Sequence, residues 1–240
     1  MPTSLVVGAS RGLGFELAKR LHSLGHAVYA TIRSSKVPDF LTGVNVIPNI
    51  DVGVESAGES ILDLVFMNAG LFKMDSFDKP DWNAHLEMYK VVSMAPLFIA
   101  HHLCRILRPP RPPPPNTSSS PPKEAPLPPR TREEGGGAYG HHASKAAANM
   151  VGKQKNVTVA MIHPGFMKTD VTRSVGFDQF YESGGAIEPT EAAESTIDFV
   201  LNKLTHEDTG TFWAPRGPSG IGEAERAIGK DLPTPLQLPW

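Results

Sequence analysis

Cysteine is nearly absent from this sequence, since Cys104 is the only one among 240 residues. A single cysteine excludes an internal disulfide framework and a cysteine-rich zinc site, and it fits a reducing compartment, so we expect a cytoplasmic location. No apolar run approaches the ~20 residues of a membrane span. The first residues lack a basic stretch followed by a long apolar one, so we expect no signal peptide and no membrane segment.

The sequence also has little excess charge of either sign. Its 23 Lys and Arg residues nearly balance its 25 Asp and Glu residues, which gives a net charge of −2 at pH 7. Because nucleic-acid-binding proteins usually carry a marked basic excess, we expect no nucleic-acid partner. Hydrophobic residues make up 40% of the chain, enough for a core, and the length suits one domain. We therefore expect a single domain over residues 1–240.

Proline is the residue in excess, and its distribution is uneven. Eleven of the 23 prolines lie between Pro109 and Pro129. The segment 108–137 contains these prolines and a run of glycines, and its only large aliphatic residue is Leu127. It cannot bury enough apolar surface to order itself, so we predict a disordered or polyproline-like insert. Two Pro-x-x-Pro sequences in it suit the aromatic grooves of adaptor domains, which makes an interaction protein one alternative.

Outside this insert, short apolar runs alternate with amphipathic segments. The alternation predicts an α/β fold with a mostly parallel sheet. The helix that precedes the insert contains Pro96, where we expect a kink or a local break. Periodicity predicts strands over 4–7, 27–32, 44–47, 64–67, 157–162 and 211–213, and helices over 12–24, 54–62, 81–107, 144–151 and 190–204.

The most informative motif is Gly8-Ala-Ser-Arg-Gly-Leu-Gly14, which follows the first strand and opens the first helix. Glycines at such a turn let the backbone approach a pyrophosphate at the helix N-terminus, where free N–H groups favour an anion. The motif therefore predicts a dinucleotide site. A structural turn without a ligand is the alternative.

The spacing Gly-x-x-x-Gly-x-Gly resembles that of the short-chain dehydrogenase/reductase family. The segments Tyr139-Gly-His-His and Phe212-Trp-Ala-Pro-Arg-Gly resemble its carbonyl-reductase-like branch. Later motifs agree in order, namely Asp51-Val52, Asn68-Ala69-Gly70, Ser144-Lys145-Ala-Ala, and His163-Pro164-Gly165 with Thr169. The resemblance implies a Rossmann-type doubly wound parallel sheet, a nicotinamide cofactor, and hydride transfer between that cofactor and the carbonyl or alcohol of a small molecule. A homo-oligomer is a further possibility that it raises.

The resemblance also implies a set of cofactor-binding residues. For the choice of cofactor, strand 2 ends at Arg33 with no acid that would bond a ribose 2′-hydroxyl, and Arg11 adds a second cation. These residues favour NADP over NAD. The implied set is Gly8, Ser10, Arg11, Gly12, Leu13, Gly14, Arg33, Asp51, Val52, Asn68, Ala69, Gly70, Lys145, Pro164, Gly165 and Thr169.

The catalytic residues depart from the family pattern. A tyrosine is implied four residues before Lys145, but His141 stands there, and the nearest tyrosine is Tyr139. Either Tyr139 or His141 is a candidate proton donor, because a histidine pKa lies near neutrality and Gly140 permits a sharp approach of the tyrosine. No serine is a clear candidate, and Val92 stands where the resemblance implies an asparagine. Adjacent histidine pairs without carboxylates do not suggest a metal site.

The position of the insert raises a structural question. The family's fifth strand should lie in the insert, between strands 4 and 6, so either strand 6 pairs directly with strand 4 or backbone groups lose their partners. Two alternatives to an active enzyme follow, a catalytically impaired NADP-binding pseudoenzyme and a mis-spliced product. The substrate pocket should draw on residues 170–189, where Phe177, Phe180 and Tyr181 suggest an apolar or aromatic carbonyl.

Overall fold

A computed structural model gives the arrangement of most of the chain. It describes residues 1–35, 37, 41–50, 63–74, 78–103, 158–221 and 231–238. For residues 101–103 it describes the backbone and not the side chains. The predicted helices 54–62 and 144–151 and the Pro-rich insert 108–137 lie outside the described residues.

The strands of the described part form two sheets. The first has the order β3-β2-β1-β4 with every pair parallel, and the second has the order β5-β6-β7, in which β5 and β6 are parallel and β7 is antiparallel to β6. This arrangement confirms the expected parallel α/β sheet. The strands are β1 Thr3–Val7, β2 Ala27–Thr31, β3 Asn45–Ile47, β4 Leu64–Met67, β5 Ala160–Ile162, β6 Thr211–Ala214 and β7 Leu236–Leu238.

The helices include two that cover one face of the first sheet. These are α1 (Gly12–Ser23) and α5 (Pro189–Asn202), which pack against each other while α1 also contacts β1 and β2. The other α-helices are α2 Trp82–Tyr89, α3 Ala95–Leu103 and α4 Asp170–Ser174. None of the helices in the described part is both long enough and apolar enough to cross a bilayer.

The main core lies between the first sheet and this pair of helices. Its apolar residues come from alternate positions of β1 and β2 and from helically spaced positions of α1 and α5, as burial of one face of each element requires. The buried members are Val6, Ala9, Leu17, Ala18, Leu21, Val28, Ala30, Leu41, Ala193 and Ile197. This core holds β1 and the start of α1 in place, and the glycine motif lies between them.

The long helix has the local break that Pro96 predicts. A π-helical turn over Lys90–Met94 separates α2 from α3, and the Ala95 N–H donates to the Lys90 carbonyl five residues earlier. Proline has no N–H, so Pro96 cannot donate a hydrogen bond to the carbonyl four residues before it. The π-helical turn, which is wider than an α-helical turn, lies directly before this missing hydrogen bond.

The two sheets bear on the question of the fifth strand. In the described ranges β4 pairs only with β1, and β5 pairs only with β6. The strand that the resemblance implies as the sixth is β5 in this structure. Direct pairing of that strand with β4 is therefore not seen among these residues.

The amino ends of β1, β2 and β4 meet at a polar cluster around His26. The His26 Nδ1 lies 2.6 Å from the buried Ser4 Oγ, and the Asp63 carboxylate accepts a hydrogen bond of 2.7 Å from the Thr3 N–H. Burial lowers the pKa of His26 from its usual 6.5, and the charge of Asp63 opposes that shift. The folded chain therefore favours the neutral imidazole at this position.

This cluster predicts a loss of stability in acid. Because the folded-state pKa of His26 is the lower one, the unfolded chain binds more protons around and below pH 6.5, and the free energy of unfolding falls as the pH decreases through that range. We expect His26→Gln to reduce the acid-induced drop in the urea midpoint, measured between about pH 5 and pH 8. An equal drop in both proteins would contradict this expectation.

Candidate functional site

The glycine motif begins with a turn that is bonded to the end of β2. The Gly8 N–H donates to the Thr31 Oγ1 at 3.0 Å, and the Ala9 N–H donates to the Thr31 carbonyl at 2.9 Å. Gly8 has a φ of +83°, a backbone conformation that residues with a side chain rarely adopt. The buried hydroxyl of Thr31 thus fixes the turn, a role that the sequence alone did not suggest.

Gly14 and Gly8 are both in close contact with the loop after β4. A Cβ on Gly14 would lie 2.1 Å from the Gly8 carbonyl oxygen and 2.5 Å from the Asn68 Nδ2, and a Cβ on Gly8 would lie 2.8 Å from the Ala69 Cα. The Asn68 Nδ2 donates to the Gly8 carbonyl at 3.1 Å, and the backbone N–H groups of Asn68 and Ala69 both donate to the Val7 carbonyl. The structure therefore brings the glycine motif and the Asn68-Ala69-Gly70 motif into direct contact.

The start of α1 presents backbone donors, and the helix has no acid of its own in its first turn. Arg11 is the N-cap residue with an extended backbone, its side chain makes no capping hydrogen bond, and the first turn contains no acidic residue. The first N–H groups of a helix have no partner within the helix, and the helix dipole favours an anion there. Ser10, Gly12 and Leu13 flank this end, so the residues present fit a phosphate group.

Arg33 follows the carboxyl end of β2 and is exposed. The backbone before it is held in place, because the Ile32 N–H donates to the Ile47 carbonyl at 3.0 Å and the Ile32 carbonyl accepts from the Ile50 N–H at 3.0 Å. A fixed backbone with an exposed guanidinium at this strand end suits recognition of a phosphate.

The segment that leaves β5 carries the Pro-Gly motif. The His163 N–H donates to the Trp213 carbonyl at 2.7 Å, and the Gly165 N–H donates to the His163 Nδ1 at 3.1 Å. After the turn at Pro164-Gly165, Met167 forms a parallel bridge with Ile187. Backbone hydrogen bonds to β6 before the motif and to the Ile187 segment after it therefore hold this segment in place.

Thr169 lies beside the glycine motif. A Cβ built on Gly12 would be 3.7 Å from the Thr169 Cγ2, although the two residues are far apart in the sequence. The Thr169 Oγ1 accepts from the Thr172 N–H and the Thr172 Oγ1 accepts from the Thr169 N–H, which forms a capping box at the start of α4. Three motifs thus converge on the carboxyl edge of β1.

The hydroxyl of Tyr181 makes hydrogen bonds to both threonines of this capping box. It lies 2.8 Å from the Thr172 Oγ1 and donates to the Thr169 carbonyl at 3.2 Å. The tyrosine was expected to form a pocket wall, and the structure shows that its polar end also holds the backbone of Thr169.

We expect Tyr181→Phe to loosen this backbone. The change removes hydrogen bonds worth about 0.5–1.5 kcal/mol of stability while it keeps the ring. Thermal or urea unfolding measures the loss. The control is Tyr29→Phe on β2, because the Tyr29 hydroxyl makes no hydrogen bond to any residue in the described part of the chain. A loss equal to that of the control would contradict the role of Tyr181.

Aromatic side chains link the α4 region to the loop after β4. Phe177 lies in a 3₁₀ turn and its ring centroid is 5.8 Å from that of Phe72 and 6.5 Å from that of Phe166. The Phe166 and Tyr181 centroids are 5.7 Å apart, and Phe180 remains half exposed. The arrangement forms an apolar wall next to Thr169.

Arg11 makes an ion pair that the sequence did not predict. Its Nη1 lies 3.1 Å from the Asp170 Oδ2, and the Arg173 Nη1 lies 3.2 Å from the Asp170 Oδ1. The only hint in the sequence is that Asp170 directly follows Thr169, the last residue of the Pro-Gly motif.

Several candidate residues lie outside the described residues. These are Asp51 and Val52 of the cofactor set and the catalytic candidates Tyr139, His141 and Lys145. Val92 is described and is buried in the π-helical turn, where its hydrocarbon side chain offers no hydrogen bond. In the ranges that the structure covers, no group of three or more His, Cys, Asp or Glu side chains has metal-binding geometry.

Comparisons with known proteins concern the chain as a whole. No family model matches the chain. The 1-hydroxy-2-glutathionyl-2-methyl-3-butene dehydrogenase of Rhodococcus sp. (strain AD45) is 28% identical over 229 residues, which cover 88% of this chain and 96% of that protein. Over most of its length the chain is therefore similar in sequence to a protein named as a dehydrogenase.

Solved structures show the same fold. An NADPH-bound carbonyl reductase from chicken fatty liver superposes with a TM-score of 0.65 and 20% identity, covering 89% of this chain and 96% of that one. A short-chain dehydrogenase/reductase from Saccharomyces cerevisiae gives a TM-score of 0.69 and 17% identity, covering 92% and 98%. These likenesses confirm the expected Rossmann-type fold, which the chain shares with known short-chain dehydrogenase/reductases.

Proposed function

We propose that this chain is a short-chain dehydrogenase/reductase, an NADP(H)-dependent oxidoreductase that transfers a hydride between nicotinamide and the carbonyl or alcohol carbon of a small molecule. The observation that carries the proposal is the convergence of Gly8–Gly14, Asn68-Ala69 and Thr169 at one edge of the first sheet. In an open parallel sheet, ligands bind at the carboxyl ends of the strands. We further propose one domain over residues 1–240 and a cytoplasmic location, in keeping with the single cysteine.

The dinucleotide would be held mainly by the backbone. Residues Ser10–Gly14 would present the uncapped start of α1 to its pyrophosphate, while Asn68 and Ala69, which precede Gly70, contact Gly8 of the glycine loop. Pro164, Gly165 and Thr169 would lie against the nicotinamide, and Asp51-Val52 against the adenine. These roles follow the family pattern at matching positions.

The choice of NADP rests on the absence of an acid after β2. Arg33 is exposed at that strand end, where a guanidinium would pair with a 2′-phosphate and an acid would repel it. The NADPH in the solved carbonyl reductase from chicken supports the same choice.

The proton step would depend on residues beyond the glycine loop. The bound cofactor supplies the hydride, so the chain must supply a proton to the carbonyl oxygen during reduction. Tyr139 or His141 is the proposed donor, and Lys145 would bond the nicotinamide ribose and lower the donor's pKa through its charge. The aromatic wall around Phe177 favours an apolar or aromatic carbonyl substrate.

A cofactor-binding experiment tests the proposal first. Thermal unfolding of the full chain is compared with and without excess NADPH and NADH. A ligand that binds only the native state adds about 2.7 kcal/mol at a hundredfold excess over Kd. We expect a cooperative transition that NADPH raises more than NADH, followed by NADPH oxidation with one or more members of a carbonyl panel. No shift with either dinucleotide would contradict the proposal.

A pseudoenzyme is the second candidate, and Val92 favours it. The family pattern implies a polar residue at this position, where the buried side chain is a hydrocarbon. A pseudoenzyme would show the NADPH shift but no NADPH oxidation with any carbonyl of the panel.

A further inference from the structure

The Arg11–Asp170 ion pair joins two distant parts of the chain at the proposed cofactor site. The Arg11 Nη1 and the Asp170 Oδ2 are 3.1 Å apart across 159 residues of sequence, and the two side chains are 59% and 54% exposed. The contact is therefore tertiary, and both groups remain within reach of a ligand from solvent.

The ion pair lies where the proposed site would need a free cation. Arg11 is the N-cap residue of α1, whose first turn has no acid. Asp170 follows Thr169, which is next to Gly12. The carboxylate therefore introduces a negative charge from another segment into a place that otherwise favours an anion.

We propose that Asp170 competes with a phosphate group of the dinucleotide for Arg11 and so lowers the affinity of the cofactor site. The proposal rests on the proposed function, because it presupposes that a dinucleotide binds. Binding exchanges one charge-assisted partner of the guanidinium for another, so Asp170 weakens cofactor binding by the free energy of the pair that is broken.

Arg173 makes this exchange feasible. It lies 3.2 Å from the other oxygen of the same carboxylate. When Arg11 turns to the phosphate, Asp170 therefore keeps a cationic partner in its own helix, and no unpaired charge is left behind. Because exposed ion pairs contribute up to about 1 kcal/mol, we expect the competition to cost roughly two- to fivefold in affinity.

The test measures the Kd values of NADPH and NADH for the full chain and for Asp170→Asn. The amide keeps the shape and removes the charge, and Thr169 still caps α4. The matched control is Asp178→Asn, which removes an exposed acid from the neighbouring 3₁₀ turn. Each variant is also made with Arg11→Met, and Asp170→Ser replaces Asp170→Asn if thermal unfolding shows that the amide variant is not folded.

We expect Asp170→Asn to tighten binding about two- to fivefold, with Asp178→Asn close to the parent protein and with no gain from Asp170→Asn in the Arg11→Met background. Tightening of NADPH alone identifies the 2′-phosphate as the competing group, and equal tightening of NADPH and NADH identifies the pyrophosphate. Unchanged or weaker binding by Asp170→Asn, or a gain that persists without Arg11, overturns the inference and leaves the proposed function intact. A parent protein that binds neither dinucleotide overturns both.

Discussion

Gly8→Ala is expected to lower the free energy of unfolding by about 2–5 kcal/mol and to abolish the stabilisation by NADPH. Two costs add together. The positive φ of +83° disfavours any L side chain, and the new Cβ would lie 2.8 Å from the Ala69 Cα and 2.9 Å from its nitrogen. Those atoms are backbone, so relief of the clash requires the glycine loop or the loop after β4 to move.

Gly25→Ala separates these two costs. Gly25 has nearly the same φ, +82°, but nothing lies within 4 Å of its Cβ position. We expect this control to lose only about 1–2 kcal/mol and to keep the NADPH response. Thermal unfolding with and without NADPH measures both proteins, and the Gly8 variant should unfold on the order of 10 °C lower than the parent. Equal losses at the two positions would show that contact with Ala69 is unimportant.

Arg33→Met is expected to weaken NADPH binding about tenfold to a hundredfold, with little change in NADH binding. A hydrogen bond to a charged group contributes about 1.5–3 kcal/mol, and only NADPH carries the 2′-phosphate. Arg33 is exposed, so we expect the thermal stability of the free protein to stay the same. Titration of each dinucleotide gives the two Kd values.

An arginine elsewhere on the surface provides the control for this prediction. Arg20 lies on α1 and is exposed, so Arg20→Met removes one positive charge at a position that we do not assign to the cofactor. We expect both dinucleotides to bind this variant as they bind the parent. A similar loss of NADPH and NADH by Arg33→Met would mean that Arg33 does not recognise the 2′-phosphate.

The two predictions address different parts of the site. The Gly8→Ala variant tests whether the backbone of the glycine loop must lie close to Ala69. Arg33 tests the cofactor preference, which depends on one exposed charge. The two results are independent. If the Gly8 prediction is contradicted and the Arg33 prediction is confirmed, Arg33 still distinguishes NADPH from NADH, because the charge at the end of β2 does not depend on the packing around Ala69.

Sequence periodicity predicted the elements that carry an amphipathic pattern of sufficient length. The structure places β4 at Leu64–Met67 as expected, and α1 at Gly12–Ser23, one residue shorter than expected. Among the numbered elements, α4 and β7 were missed. The five residues of α4 hold too few positions for a helical period to be recognised, and β7 depends on its antiparallel pairing with β6, which is distant in the sequence.

The sequence by itself determined the alternation of strands and helices, the order of the family motifs, and the absence of an acid after β2. Each of these depends on residues that are close together in the chain. Only the tertiary structure decided that Thr31 fixes the turn at Gly8, that Tyr181 holds Thr169, and that Asp170 pairs with Arg11. These contacts join segments that folding alone brings together, so no local pattern of residue types specifies them.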